Sequence, residues 1–178
     1  MKYIYCPQCG SKSNLEKSVP HCEACQLLFY TNSKPTAGAI IYNEKGEVLL
    51  TKRALKPVGK IDIIGGFLEN GEDPIEGIKR EVREEVGVEI DVEDIIGIYM
   101  DGYMDDSDSV YTLNIQYAAK IKSGTPVAKD EIQSVEWFRE ADLKPEEFSF
   151  KNTGLALNDF FRKYKENMTL ALDKKADL

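Results

Sequence analysis

The chain has 178 residues, 42% hydrophobic and 30% charged, with a formal net charge of −8 and an isoelectric point near 4.8. Such a composition suits a soluble globular protein of one main domain with a small appendage, and neither an internal repeat nor a low-complexity tract interrupts it. The acidic balance argues against a binder of phosphate backbones. Without a signal peptide or a long apolar run, a cytoplasmic protein that makes no membrane contact is expected.

In chain order, Cys6-Pro7-Gln8-Cys9-Gly10 and Cys22-Glu23-Ala24-Cys25 come first, and the two C-x₂-C pairs hold all four cysteines. Four thiolates at this spacing read as a closed tetrahedral Zn²⁺ site, favoured over disulfides in a reducing compartment. Iron and a redox pair are the alternatives. Gly10 follows the first pair but Gln26 follows the second, a departure from rubredoxin-like knuckles. A segment this short cannot bury enough surface to fold alone, so the first role of the metal is structural. Lys2, Lys12 and Lys17 stand against Glu16 and Glu23 without forming a basic stripe. A structural or dimer-forming ribbon is therefore expected, with a homodimer as one outcome, rather than a nucleic-acid binder. His21, the single histidine, adjoins Cys22 and is assigned to the surface because four cysteines already fill the site. Polar residues and a proline at Thr31–Pro35 mark a boundary, dividing a ribbon over 1–33 from a domain over 34–178.

Thr36–Tyr42 and Glu47–Arg53 read as strands joined by the turn Asn43-Glu44-Lys45-Gly46. Ile61–Ile64 is a short apolar strand leading into Gly65 and Gly66. A helix then opens with Asp73 as N-cap, Pro74 in the first position and Glu76 at capping-box spacing. Ile75, Ile78, Val82 and Val86 form its apolar stripe at about 100° per residue. Val88–Ile90, Ile95–Tyr103, Val110–Ile121 and Ile132–Phe138 read as further strands, with a polar turn at Asp105–Ser109. From Thr153 to about Leu172, the spacing of Leu155, Leu157, Phe160, Phe161 and Tyr164 predicts a helix packed on the sheet, and Asp173 to Leu178 are expected to fray. These elements imply an α/β fold, an α/β/α sandwich around a mixed sheet.

Residues 66–88 carry the densest pattern: Gly66, five residues, Glu72, seven residues, then Arg80-Glu81-Val82-Arg83-Glu84-Glu85-Val86-Gly87-Val88. At residue frequencies of roughly 5–7%, chance produces it in such a chain less than about once in a million. Glu81, Glu84 and Glu85 fall in an arc of about 100° beside the apolar stripe. Glu84 has Arg80 one turn away, whereas Glu81 and Glu85 have no basic residue at that spacing. Four residues apart, they cost an isolated helix about 0.2–0.5 kcal/mol. A bound cation removes that penalty, and side chains one turn apart can share Mg²⁺ ions spaced about 3.5–4 Å apart. The bland alternative is a solvated acidic face.

These residues resemble the Nudix box of the Nudix hydrolases, and all of its defining positions are present: Gly66, Glu72, Arg80, Glu81, Val82, Glu84, Glu85, Gly87 and Val88. More loosely, the resemblance spans about residues 34 to 178. It implies a Nudix-type sandwich in which Glu81, Glu84 and Glu85 bind Mg²⁺ or Mn²⁺ around a diphosphate while Arg80 orients the cluster. It also implies hydrolysis of a nucleoside diphosphate linked to another moiety, with release of a nucleoside monophosphate. Glu81 and Glu131 are both candidates for the base that deprotonates the attacking water. Gly65 and Gly66 would let the chain approach the substrate closely, and Arg53, with Lys52, would either contact phosphates or end a strand in solvent. Tyr99, Tyr103, Tyr111 and Tyr117 either stack on a base or, more commonly, pack the sheet.

Some NADH pyrophosphatases of the family carry a zinc ribbon upstream. Their Ser-Gln-Pro-Trp-Pro-Phe-Pro stretch is missing here, as are the Trp and Pro that many relatives place before the two glycines, where this chain has Ile61 and Ile64. ADP-ribose or a similar dinucleotide is accordingly the expected substrate. The alternatives are a non-catalytic nucleotide-sensing regulator on the same fold and a zinc-ribbon nucleic-acid binder, the latter opposed by charge.

Overall fold

The computed structural model describes residues 3–16, 19–30, 32–102, 110–129 and 131–176, with side chains to Tyr164 in the last stretch. Tyr103 and the expected turn Asp105–Ser109 lie outside the described residues. Two compact units are present, one formed by described residues of 1–34 and 102–111, the other by 35–101 and 112–176.

In the first unit, β1 (Ser13–Asn14) pairs antiparallel with β2 (His21–Cys22), setting Ser13 opposite Cys22. The two cysteine knuckles are near copies. Gly10 N–H donates to the Cys6 carbonyl at 2.9 Å, and Gln26 N–H donates to the Cys22 carbonyl at 2.8 Å. Gly10 has φ 74° and Gln26 φ 63°, so Gln26 takes the left-handed turn that glycine usually takes. That conformation costs a residue with a Cβ about 1 kcal/mol, offset in part by donation from Gln26 Nε2 to the Glu23 carbonyl at 2.8 Å. The asymmetry visible in the sequence is therefore absent from the backbone. All four Sγ atoms lie within 4.8 Å of one another, with Cys6–Cys25 at 3.6 Å and Cys9–Cys22 at 3.5 Å. A tetrahedron of sulfurs about 2.3 Å from a central ion has edges of about 3.8 Å, so the cluster has the size and donor set of a zinc-ribbon site. Phe29, with Cys6 and Cys22, makes up the small buried core of this unit.

The second unit is built on a sheet in the order β5 (Ile61–Asp62), β4 (Val48–Arg53), β3 (Lys34–Tyr42), β8 (Tyr111–Ser123), β7 (Glu89–Gly102), with β6 (Ile64–Phe67) also on β3 and β9 (Ile132–Phe138) also on β4. β4 and β6 run antiparallel to β3. Thr36 lies beside Asn114 and Gly38 beside Gln116, so β3 and β8 run in the same direction and the sheet is mixed. Two strands expected after the first helix are one: Asp91 and Glu93 pair with Lys122 and Lys120 on β8 at 3.3 and 3.2 Å, and these cross-strand ion pairs carry the polar stretch through as strand.

Alternation along the strands makes two cores. Ala37, Ala39, Ile41, Leu49 and Ala119 face Ile78, Val82 and Val86 of α1 (Pro74–Val86). Ile40, Val48, Leu50 and Ala118 face Ala156, Leu157, Phe160 and Phe161 of α2 (Lys151–Ala176). A helix on each face of a mixed sheet is the α/β/α sandwich expected. Two members of the anticipated apolar stripes stay outside these cores: Ile75 is 38% exposed and Leu155 53%. α2 also continues as helix past the expected end near Leu172. Among the described residues no helix is long and apolar enough to cross a membrane.

α1 starts where its sequence says, and Gly87 ends it. Asp73 Oδ1 accepts from the Ile75 and Glu76 amides at 2.9 and 3.4 Å, and Gly87, at φ 71°, caps the other end by donating to the Arg83 and Val82 carbonyls. Only half of the capping box forms, because the Glu76 carboxylate turns to Lys79 Nζ at 2.8 Å. Asp73→Ala is expected to cost about 1 kcal/mol by urea denaturation, whereas Glu76→Ala, outside the cap, is expected to cost less than half of that.

Candidate active site

Arg80 organises one side of the site. Its Nε and Nη2 donate to the two oxygens of Glu72 at 2.8 and 2.9 Å, a bidentate fork. Nη1 donates to Glu81 at 2.9 Å and to Glu84 at 3.1 Å, and Nη2 also reaches the Phe67 carbonyl at 3.2 Å. Glu81 therefore does have a basic partner, the adjacent residue, which helical spacing rules overlook. Hydrogen bonds from Arg80 lower Glu72 to about 2, so it stays ionised as the anchor of this network. Glu72 also accepts from the Glu69 amide at 2.8 Å, which ties the loop before α1 to the guanidinium.

Glu85 points elsewhere. It takes the Gly65 N–H at 3.2 Å and lines a small polar pocket of about 30 Å³ with Thr51, Arg53, Asp62, Ile63, Gly65, Glu131 and Ile132. Burial raises Glu85 to about 8; the Gly65 amide opposes the shift, while Glu81 and Asp62 add to it. Burial likewise raises Glu81, against the pull of Arg80. In the described residues the four cysteines form the one group of three or more ligating side chains converging within 4.8 Å, so the three helix glutamates are divided here between Arg80 and the pocket.

The sheet and its loops deliver the other predicted residues. Val127 and Lys129 amides donate to the Val86 and Glu85 carbonyls at 3.0 and 2.9 Å, lashing the loop before β9 to the end of α1. Glu131 follows, its carbonyl accepting from Ala54 at 2.9 Å, and this exposed residue is part of the lining of the Glu85 pocket. A register shift between Lys52 and Arg53 sets Arg53 opposite Ile132 while Lys52 stays opposite Ser134. Arg53 is not a solvated strand end: Nη1 pairs with Asp62 at 3.0 Å, Nη2 donates to the Lys56 carbonyl at 3.1 Å, and the guanidinium lies 5.2 Å from the Phe150 ring. Lys52 is half-exposed and pairs with Glu136 at 3.5 Å. Gly66 lies against Glu81, whose carboxyl carbon would be 2.5 Å from any Cβ there. Tyr99 and Tyr117 pack against the two cores, Tyr99 donating to Asp159 at 2.8 Å, and Tyr111 is exposed.

Asp62 is the residue that sequence reasoning passed over. Half-buried in the pocket wall, it accepts from Arg53, from the Ile63 amide at 3.0 Å and from Thr153 at 2.9 Å, and loss of solvent raises its pKa. Its signal was a lone charge inside the apolar run Ile61-Asp62-Ile63-Ile64.

The raised Glu85 links stability to pH. Above its ordinary value of 4.5 the unfolded chain ionises this carboxyl, while the folded state holds the proton until about pH 8. Folding therefore loses stability as pH rises through that window. Without divalent ions, Glu85→Gln is expected to be more stable than wild type at pH 8.5 by on the order of 1–3 kcal/mol, with a higher melting temperature, and equally stable at pH 4. Calorimetry at the two pH values checks this, and equal melting at both contradicts it.

Comparison with known proteins agrees with this geometry. The family model described as NUDIX domain matches residues 32–156. An NAD-capped RNA hydrolase of Caenorhabditis elegans is 30% identical over 145 residues, covering 80% of this chain and 38% of its own length. The NAD-capped RNA hydrolase NudC of Pseudomonas aeruginosa is 30% identical over 144 residues, 79% of this chain and 49% of its own. The chain thus spans half or less of the length of these curated relatives. A NUDIX hydrolase from Nitrosomonas europaea superposes with a TM-score of 0.74 at 26% identity, covering 88% of both chains. The NUDIX domain of Shewanella oneidensis NrtR, solved with ADP-ribose, shares the fold with a TM-score of 0.61 at 17% identity, over 76% of this chain and 90% of that one. Sequence motif, sandwich and family model converge, and the chain belongs to the NUDIX family.

Proposed function

We propose that the protein is a divalent-metal-dependent pyrophosphohydrolase that cleaves the diphosphate of a nucleoside diphosphate linked to another moiety and releases a nucleoside monophosphate. The observation that carries this reading is the electrostatic state of α1. Burial raises Glu85 to about 8 and also raises Glu81, which Arg80 pairs at 2.9 Å, so Glu85 above all calls for added positive charge. Their oxygens, with Glu84 beside them, are the hard donor set of Mg²⁺ or Mn²⁺. An ion bound there neutralises phosphate oxygens and acidifies a water.

The chain's own residues supply the rest. Arg80 sets the rotamers of Glu81 and Glu84 and anchors them to Glu72. The Gly65 amide orients Glu85. Glu131 and Glu81 are the two candidates for the base that takes a proton from the attacking water, a reading supported by Glu131 lining the Glu85 pocket and Glu81 lying against Gly66. Arg53, held by Asp62, is the cation that faces the phosphates. In the N-terminal ribbon over 1–33, Cys6, Cys9, Cys22 and Cys25 hold a structural Zn²⁺. ADP-ribose and similar dinucleotides are the substrate class we favour. Curated relatives named as NAD-capped RNA hydrolases make such RNA the compound to set beside them.

Incubation with Mg²⁺ and a panel of ADP-ribose, NADH, FAD, dinucleoside polyphosphates and NAD-capped RNA tests the assignment. Release of a nucleoside monophosphate from at least one compound, abolished by chelation, is expected; inactivity on all of them with nucleotide still bound would establish a sensor instead. Glu84→Gln is expected to lower kcat by about 100-fold or more with stability within about 1 kcal/mol of wild type. Cys22→Ser is expected to lose bound zinc by mass spectrometry and to expose the N-terminal segment to proteolysis while hydrolysis persists.

A further inference from the structure

A second and larger cavity, of about 450 Å³, lies between the first half of α2 and the segment that precedes it. Leu143, Phe148, Phe150, Leu155, Leu157 and Phe161 make its walls largely apolar. Three exposed residues in its lining, Glu140, Lys151 and Asn158, add polar groups where it meets solvent. A volume of about 300–1,000 Å³, apolar walls and a few polar groups together mark small-molecule sites. Leu155, the member of the α2 stripe left 53% exposed, borders this space.

One ring separates this cavity from the pocket of Glu85. Phe150 lines the cavity, and the Arg53 guanidinium, 5.2 Å from the Phe150 ring, lines the pocket. The segment that carries Phe150 is fastened to β5 on both sides of it. Ser149 donates from its amide and from its hydroxyl to the Ile61 carbonyl, both at 2.9 Å, and Phe148 bridges to Ile61. Thr153 donates to Asp62 Oδ1 at 2.9 Å, and Oδ2 of the same carboxylate holds Arg53. Gly154 gives Phe148 its place against α2, since a Cβ there would lie 3.0 Å from the ring. The Glu85 pocket, at about 30 Å³, has the volume of about one water and takes no ring. The cavity across Phe150 has room for one.

We propose that this cavity receives the nucleobase of the substrate while the diphosphate lies at Arg53 and Glu85. Three phenylalanine rings line it, and stacking of a base on an aromatic ring tolerates every base, because each has a π-face. The Asn158 carboxamide supplies both a donor and an acceptor for ring nitrogens and exocyclic groups. Phe150 then serves both halves of the nucleotide, walling the base site and lying against the cation that faces the phosphates. The subsite rests on the pyrophosphohydrolase reading for where the phosphates lie, but its test reads binding and needs no turnover.

The test compares two ligands that resist hydrolysis, each with Mg²⁺: α,β-methylene-ADP, and methylenediphosphonate, which has the same two phosphorus groups and no base. In amide proton–nitrogen NMR spectra of the wild-type chain, the signals of Gly154, Leu155 and Asn158 are expected to move with the nucleotide and to stay in place with methylenediphosphonate. By calorimetry the nucleotide is expected to bind tighter than methylenediphosphonate by about tenfold or more. Leu155→Glu, at an exposed position that the fold tolerates, is expected to bring that ratio near one and to leave binding of methylenediphosphonate within about twofold of wild type. Signals of 154–158 that ignore the nucleotide, or a ratio that survives in Leu155→Glu, overturn the subsite. Binding of neither ligand overturns both the subsite and the diphosphate site. A base-dependent response in a chain that hydrolyses none of the substrate panel supports the subsite and removes only the proposed activity.

Discussion

The site depends on one crowded guanidinium. Arg80 serves Glu72, Glu81, Glu84 and the Phe67 carbonyl at once. Like charges four residues apart on a helix repel, and burial at the edge of a sheet makes ionising them costlier. Arg80 settles part of this conflict by drawing two glutamates outward and pinning them to the loop through Glu72. Glu85 remains outside its reach, with the Gly65 amide as its hydrogen-bond donor. The charge that Arg80 leaves uncompensated is what makes the place receptive to a hard cation.

The scaffold turns this local conflict into a site by rigid attachments at both ends of α1. Asp73 and Gly87 close the helix, and Ile78, Val82 and Val86 fix its rotation against the sheet, so Glu81 and Glu85 face the glycine strand while Glu84 stays exposed. On the opposite face, Thr153 near the start of α2 bonds Asp62, which holds Arg53. Changes in the packing of α2 are thereby felt at the pocket wall.

Much of this was legible in the sequence because it rests on local rules. The apolar stripe and the N-cap of α1, the alternation in β3 and β4, and the spacing of the cysteines each depend on residues near one another in the chain. What was not legible depends on partners far away in sequence. Nothing local says that Asp91 and Glu93 continue a strand; lysines on β8 decide it. The partnership of Arg80 with its immediate neighbour Glu81 lies outside helical spacing, and Glu72 and the Phe67 carbonyl hold the guanidinium in the same place. Asp62 looks like a misplaced charge until Arg53 and Thr153 arrive from either side. Gln26 breaks the symmetry of the knuckles in sequence, yet it adopts the glycine conformation itself.

The irregularity between β4 and β9 has a further bearing on how this surface tolerates change in length. Arg53 faces Ile132 while Lys52 faces Ser134, so Gln133 is a supernumerary residue in that ladder. Strand parity on either side of it is therefore out of phase. Losing that residue would straighten the ladder and turn the side chains before it to the reverse face. Glu131 would leave the pocket although no residue touching it had been altered. A deletion in β9 can thus disarm the centre without any substitution among the residues that line it.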